Sequence, residues 1–222
     1  MPQRTFLDRL SDEERAALKK QMVIRQHKNK SEIISHEEDA RDVYFVLEGM
    51  ARAKINSEGG KDVDFRDIHK GEIFGELAAI DNLPRSASVE AVGDTKCGSL
   101  SPRQFKELVE TTPSFTWALL GHLSQQSRTM TERIYEYSTM LVSTRLIREF
   151  IRLAEPGQDE NSAEISPAPS QTDLKSRIST HREAVSREMS RLRQIGLIEY
   201  SPKKISLLNL EGLRAECQIV DR

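Results

Sequence analysis

Between Pro113 and Pro156 the chain carries no proline, and between Gly121 and Gly157 no glycine. No other feature limits the fold as sharply, because these are the residues that interrupt helices. The apolar residues Leu120, Leu123, Met130, Ile134, Tyr137 and Leu141 follow a 3–4–3–4 spacing there, with Ser127 as the polar member. That is an a/d seam of about three heptads, the pattern of a helix that pairs with another helix. The remaining faces are polar, with Gln125, Gln126, Arg128, Glu132 and Arg133. A helix buried in its own core is the alternative, but so narrow a seam favours a parallel dimer helix.

The hundred residues before this stretch have the opposite texture. "SEIISH", "DVYFVLEG", "MARAKIN", "DVDFRDI" and "ASVEAV" are rich in Val, Ile, Phe and Tyr. Between them stand "SEGGKD", "HKGE", "DNLP" and "VGDT", the punctuation of tight turns. Short strands at this spacing predict a β-barrel or jelly roll. An amphipathic helix is expected before them, over residues 12–22.

After the long helix, residues 154–171 are polar and rich in Pro, Gly and Ser, which reads as a surface loop or short hairpin. Two helical segments follow, "TDLKSRIS" and "THREAVSREMSRLRQIGLIEY", and then a hairpin centred on residues 201–204. Two short helices and a hairpin describe a winged helix-turn-helix. Thr180 as N-cap and Glu183 three residues on predict a capping box for the second helix. Val185, Met189 and Leu192 then face the core, while Arg182, Glu183, Ser186 and Arg187 project from the N-terminal half. That half is the part a recognition helix offers to base edges. Arg suits the O6 and N7 of guanine, and Glu the amino group of cytosine. An ordinary i, i+4 salt bridge between Glu183 and Arg187 is the other reading. Lys203 and Lys204 on the wing are expected to contact phosphates, and Arg191 and Arg193 to be solvated or to do the same.

Charge agrees. The chain as a whole has a formal net charge of −2, yet residues 175–204 hold eight bases against three acids. Such a local basic patch suits an anionic partner. No apolar run reaches the roughly 18 residues of a membrane span, and the N-terminus lacks a signal-peptide core. Cys97 and Cys217 lie 120 positions apart, without metal or redox spacing. These features predict a cytoplasmic protein with no membrane contact and no metal. No nucleophile–base pair or paired catalytic carboxylates stand out, so an enzyme is not expected.

One further stretch, "FGELAAIDNLPRSASV" (residues 74–89), places Glu76 nine positions before the Arg85–Ser86 pair, with glycine and proline shaping the backbone around them. An acid and a base so placed can hold both poles of a small, polar, singly anionic ligand.

"GEIFGELAAIDNLPRSASV" resembles the phosphate-binding cassette of cyclic-nucleotide-binding domains. "ISTHREAVSREMSRLRQIGLI" resembles the recognition helix of the cyclic AMP receptor protein branch of the bacterial Crp/Fnr regulators. The order of parts matches as well, over residues 6–210. The resemblance implies an α+β chain with an N-terminal β-roll (jelly-roll) cyclic-nucleotide-binding domain over residues 1–112. A dimerisation helix and hinge over 113–141 and a winged helix-turn-helix DNA-binding domain over 142–222 complete it. It implies that Glu76 bonds the ribose 2′-hydroxyl and that Arg85 pairs with the cyclic phosphate. Ser86 adds a hydroxyl, and Phe74, Gly75, Leu77 and Ala87 supply the surrounding cradle. The base falls to Met130 and Thr131 of the long helix, Thr131 reaching the partner subunit's nucleotide. The implied ligand is cyclic AMP, with cyclic GMP as the second candidate, because Met130 replaces a hydroxyl and Ser86 provides one. The implied partners are a second copy of the chain, RNA polymerase and a palindromic DNA operator with TGTGA-like half-sites. DNA contacts are expected from Thr180, Arg182, Glu183, Ser186, Arg187, Lys203 and Lys204. Ligand binding is expected to shift the helices near residues 130–137 and, through a hinge at 138–144, re-aim the recognition helices. A regulator of the same fold that ignores nucleotides, or a nucleotide-binding module that controls a protein and never touches DNA, are the alternatives.

Overall fold

A computed structural model describes residues 4–55, 63–157 and 159–220. The predicted turn at "SEGGKD" lies outside these residues. The chain divides into two compact units, residues 1–128 and 129–222.

The first unit opens with a 3-10 turn, Leu7–Arg9, and helix α1, Asp12–Gln21, closed by a capping box between Ser11 and Glu14. Six strands follow: β1 Val23–His27, β2 Glu32–Ile34, β3 Val43–Ile55, β4 Val63–His69, β5 Ile73–Phe74 and β6 Ser88–Leu100, with the short helix α2, Glu76–Asp81, between β5 and β6. The sheet runs β1-β6-β3-β4, with β2 paired to β6 and β5 to β3. Helix α3, Pro102–Thr111, has its own capping box, Ser101 with Gln104, and proline in its first turn.

Two segments read as punctuated are continuous strand. "DVYFVLEG" and "MARAKIN" form the single strand β3, and the predicted turn "VGDT" lies inside β6. The glycines there make irregularities rather than turns. Gly49 (φ +79°) and Gly93 (φ +74°) sit where the β3–β6 register shifts. A Cβ at Gly49 would stand 2.6 Å from the Asp94 carbonyl oxygen. Gly49→Ala is therefore expected to destabilise the chain by about 1–3 kcal/mol, read as a lowered midpoint in urea unfolding. An unchanged midpoint would show that the ladder relaxes around the added methyl.

The roll has two apolar clusters. Phe6, Phe45, Phe105 and Phe115 join the helices to the sheet, and Ile34, Ala51, Ile68, Phe74 and Val89 line the roll beneath the cassette. Helix α4, Pro113–Thr139, is the long helix the missing glycines and prolines predict. Its seam is less simple than the spacing indicated. Leu123 packs on the apolar cluster of the first unit, whereas Trp117 (74% exposed), Leu120 and Ile134 face outward.

The second unit contains α5 Val142–Leu153, β7 Glu155–Pro156, β8 Ala163–Ile165, α6 Gln171–Arg177, α7 Arg182–Gln194, β9 Ile198–Tyr200, β10 Ile205–Leu207 and α8 Leu210–Val220. Its sheet runs β7-β8-β10-β9. Leu146, Phe150, Leu174, Val185, Leu192 and Leu213 fill the core, drawing on all four helices. The β9–β10 hairpin and the short β7–β8 hairpin stand where turn-rich sequence predicted them.

One prediction fails here. Thr180 is not the N-cap of the recognition helix, and no capping box forms. His181 occupies that position in extended conformation, with no side-chain cap. Ser179 takes a left-handed conformation (φ +50°), and the Thr180 N–H is spent on the Lys175 carbonyl, closing the preceding helix. The helix begins at Arg182, and Glu183 becomes a free side chain in its first turn.

Candidate nucleotide pocket and nucleic-acid interface

The cassette is a strand end, a left-handed glycine and one and a half turns of helix. Gly75 (φ +79°) starts α2. A Cβ there would lie 2.8 Å from Arg85 Nη1 and 3.1 Å from the Asp42 carbonyl oxygen, so the site admits only glycine. Arg85 is 3% exposed. Its Nη1 donates to the Gly75 carbonyl and its Nη2 to the Asp42 carbonyl, both at 2.8 Å. Its Nε is buried and has no partner. Burial lowers the pKa of Arg85, with Tyr44 and the neighbouring carboxylates opposing. A buried guanidinium held by neutral carbonyls, with its Nε unpartnered, has the chemistry to pair with an anion. Ser86 is exposed beside it and Ala87 half-buried.

Glu76 is 3% exposed and turns towards α4. Gln126 Nε2 donates to its Oε1 at 3.3 Å, and His122 Nε2 stands 3.7 Å from the same oxygen. His122 and Gln126, one helical turn apart, also hydrogen-bond each other. Burial alone would raise the Glu76 pKa. The hydrogen bond and charge of His122, the residue's own amide and the charge of Arg66 outweigh it and hold the carboxyl below its usual value. His122 is buried. Its i, i+4 spacing from Gln126 is the one sign the sequence gives of a shared task.

Phe74 is buried and stacks on Tyr44, with ring centroids 5.2 Å apart, while Leu77 is exposed. Met130 and Thr131 fall beyond the first unit, on α4, half-buried and exposed respectively.

In the second unit, Arg182, Glu183 and Arg187 are exposed and Ser186 half-buried along one side of α7. They line a concave face together with Gln171, the first residue of α6, whose Oε1 accepts from Arg182 Nε at 3.4 Å. Glu183 and Arg187 do not form the salt bridge that their spacing allowed. Other bases of this region are committed elsewhere. Arg191 pairs with Glu188 and with Glu216 of α8, each at 2.7 Å, which raises its pKa. Arg193 lies over the Tyr200 ring at 5.4 Å, and Lys204 pairs with Glu164 at 2.8 Å. Lys203 is exposed at the wing tip, and Thr180 is half-buried in the turn. Among the described residues no group of His, Cys, Asp and Glu could hold a metal, and no helix is long and apolar enough to cross a membrane.

Residues 24–112 match the cyclic nucleotide-binding domain family, and residues 144–216 the Crp-like helix-turn-helix domain. A cAMP-dependent protein kinase regulatory subunit from Mycosarcoma maydis is 32% identical over 109 residues, 47% of this chain and 21% of that protein. The cAMP-activated global transcriptional regulator CRP of Salmonella typhimurium is 23% identical over 133 residues, 60% of this chain and 63% of that protein. The chain therefore spans less than two thirds of either relative. Among solved structures, a CooA mutant from Carboxydothermus hydrogenoformans is similar with a TM-score of 0.81 at 16% identity, covering 96% of this chain and 95% of that one.

A β-roll with a glycine-led cassette, followed by a long helix and a winged helix-turn-helix, defines the class of helix-turn-helix proteins that carry a cyclic nucleotide-binding domain. This chain belongs to the Crp/Fnr family.

Proposed function

We propose that the protein is a homodimeric transcription regulator whose DNA binding is controlled by a cyclic nucleotide. The observation that carries the reading is Arg85, buried with an orphaned Nε in a cassette that ends in an exposed Ser86 hydroxyl. Arg85 and Ser86 hold the cyclic phosphate, and Glu76 takes the ribose hydroxyl. Cyclic AMP is the nucleotide named for the two relatives. Thr131 and Met130 remain the candidates for the base on the long helix. The exposed apolar residues Trp117, Leu120 and Ile134 of α4 form the contact with a second copy.

Bound ligand changes DNA affinity only through contacts that differ between two states of the protein. Glu76 provides such a contact. Its carboxylate accepts from Gln126 of α4, with His122 of the same helix beside it, so a ribose hydroxyl that engages it alters what the long helix holds. Residues 138–144 act as the hinge. Arg182, Glu183, Ser186 and Arg187 then read bases in a palindromic TGTGA-like site, with Thr180 and Lys203 at the backbone; Lys204, paired with Glu164, is not among the contacts. RNA polymerase is the partner such a regulator serves, and the cytoplasm the place where it does so.

The test is fluorescence anisotropy on a TGTGA-type palindrome at fixed salt, without nucleotide and with each cyclic nucleotide. Tight binding only with nucleotide is expected. Arg187→Ala should weaken binding by about 1–3 kcal/mol and relax the preference at one base pair of each half-site. Binding indifferent to nucleotide would remove the effector from the reading, and no binding to any duplex would remove the DNA.

A further inference from the structure

Strand β4 brings a second arginine to the cassette. Arg66 is paired with Ala53 of β3, and Ile68 with Ala51. Residues directly opposite in an antiparallel ladder share a face, as do residues two apart along a strand. Ala51 and Ile68 belong to the buried cluster that lines the roll, and Ala53 packs against it. Arg66 therefore points into the roll, where it is half-buried. Its Nη2 donates to the Ile73 carbonyl at 3.2 Å, two residues before the Gly75 carbonyl that receives Arg85. Arg66 from β4 and Arg85 from the end of the cassette thus converge on the carbonyls of Ile73 and Gly75, immediately before Glu76.

The obvious task for Arg66 is already taken. Glu76 accepts from Gln126 and lies beside His122, and Arg66 reaches it only through the field of its charge. One backbone carbonyl accepts from Arg66, which leaves most of its five N–H donors for something else in the roll. With phosphate on Arg85 and ribose on Glu76, the part of a cyclic nucleotide still to be recognised is the base.

Arginine donates and never accepts. Guanine presents O6 and N7 on one edge, two acceptors that match the guanidinium fork. Adenine presents N7 beside an N6 amino group, so a donor would face a donor. Met130, which stands where the family resemblance puts a hydroxyl, offers the adenine amino group no more than a weak thioether acceptor.

We propose that Arg66 reads the base of the bound nucleotide and makes this pocket favour cyclic GMP over cyclic AMP. The proposal rests on the cyclic-nucleotide reading above and names the ligand of that same site.

The experiment is isothermal titration calorimetry of the full chain with cyclic GMP and cyclic AMP, repeated with Arg66→Ala and Arg66→Gln. The glutamine variant keeps an N–H for the Ile73 carbonyl and guards against simple misfolding, which a thermal melt also monitors. Wild type is expected to bind cyclic GMP tighter by about tenfold or more, and both variants to lose that preference while keeping their affinity for cyclic AMP. A wild-type preference for cyclic AMP, or equal loss of both nucleotides in folded variants, overturns the role of Arg66 and leaves the cyclic-nucleotide reading intact. If neither nucleotide binds wild type and Arg85→Ala changes nothing, the cyclic-nucleotide reading fails and the role of Arg66 with it.

Discussion

Arg85→Ala is expected to weaken nucleotide binding severely, and with it any nucleotide-dependent change in DNA affinity. Truncating one member of a buried, hydrogen-bonded charge pair costs about 2–5 kcal/mol, which is roughly thirtyfold or more in Kd. Arg85→Lys should recover little of this, since an ammonium keeps the charge but loses the fork. The two variants also separate binding from folding. Arg85 ties the Gly75 and Asp42 carbonyls together, and losing those bonds lowers the melting temperature in the alanine variant. Calorimetric titration at a temperature where both variants are folded is the measurement. Unaltered nucleotide affinity in a folded Arg85→Ala protein would place the ligand elsewhere.

Glu149→Ala is expected to be the most destabilising single change in the second unit. Glu149 on α5 is fully buried. Its oxygens meet Arg133 at 2.9 Å, Arg177 at 3.1 Å and Arg152. Arg152 continues to Glu136 at 2.7 Å, which also pairs with Arg148 at 3.3 Å. The carbonyl of Arg177 accepts from Arg133 Nη1 at 3.1 Å and from the Tyr137 hydroxyl at 2.7 Å. The end of α4, helix α5 and the first helix of the DNA-reading motif are therefore joined through one carboxylate. Removing it strands buried cations, a loss of about 3–5 kcal/mol, visible as a lower urea midpoint. Glu149→Gln, which keeps the shape and half the acceptors, should fall between. A midpoint within experimental error of wild type would show that Arg133, Arg152 and Arg177 reach water when the carboxylate is gone.

How far the sequence reveals this structure depends on whether a local rule meets a competing demand. The long helix is legible because glycine and proline are absent over many turns, and nothing tertiary opposes a helix there. The wing is legible because "YSPKK" can do little but turn. Helix α3 escaped attention although Ser101-Pro102-Arg103-Gln104 spells a capping box in full. At Thr180 the local rule lost. The signature was present, but the left-handed Ser179 redirected the Thr180 N–H to the helix behind it. Gly49 and Gly93 read as turns because a bulge and a turn demand the same backbone freedom. The seam of α4 was half legible, since heptad spacing cannot say which apolar residues a helix spends on its own domain. In the cassette, Glu76 and Arg85 stand out through their spacing. His122, Gln126 and Arg66 do not, because each approaches from a distant element. In "DVDFRDI" both faces of the strand carry charge, so alternation alone could not turn Arg66 inward.

The ion pairs within the DNA-reading unit also bear on how the protein searches for its site. Arg177, Arg191 and Lys204, three of the eight bases between residues 175 and 204, are neutralised internally. Non-specific adhesion to duplexes grows with the number of phosphates neutralised and the counterions set free. A head that holds back part of its positive charge releases fewer, so bulk chromosomal DNA competes for it less strongly. On the proposed function, the few unpaired side chains on α7 then decide where it rests, and specific binding is expected to depend less on ionic strength.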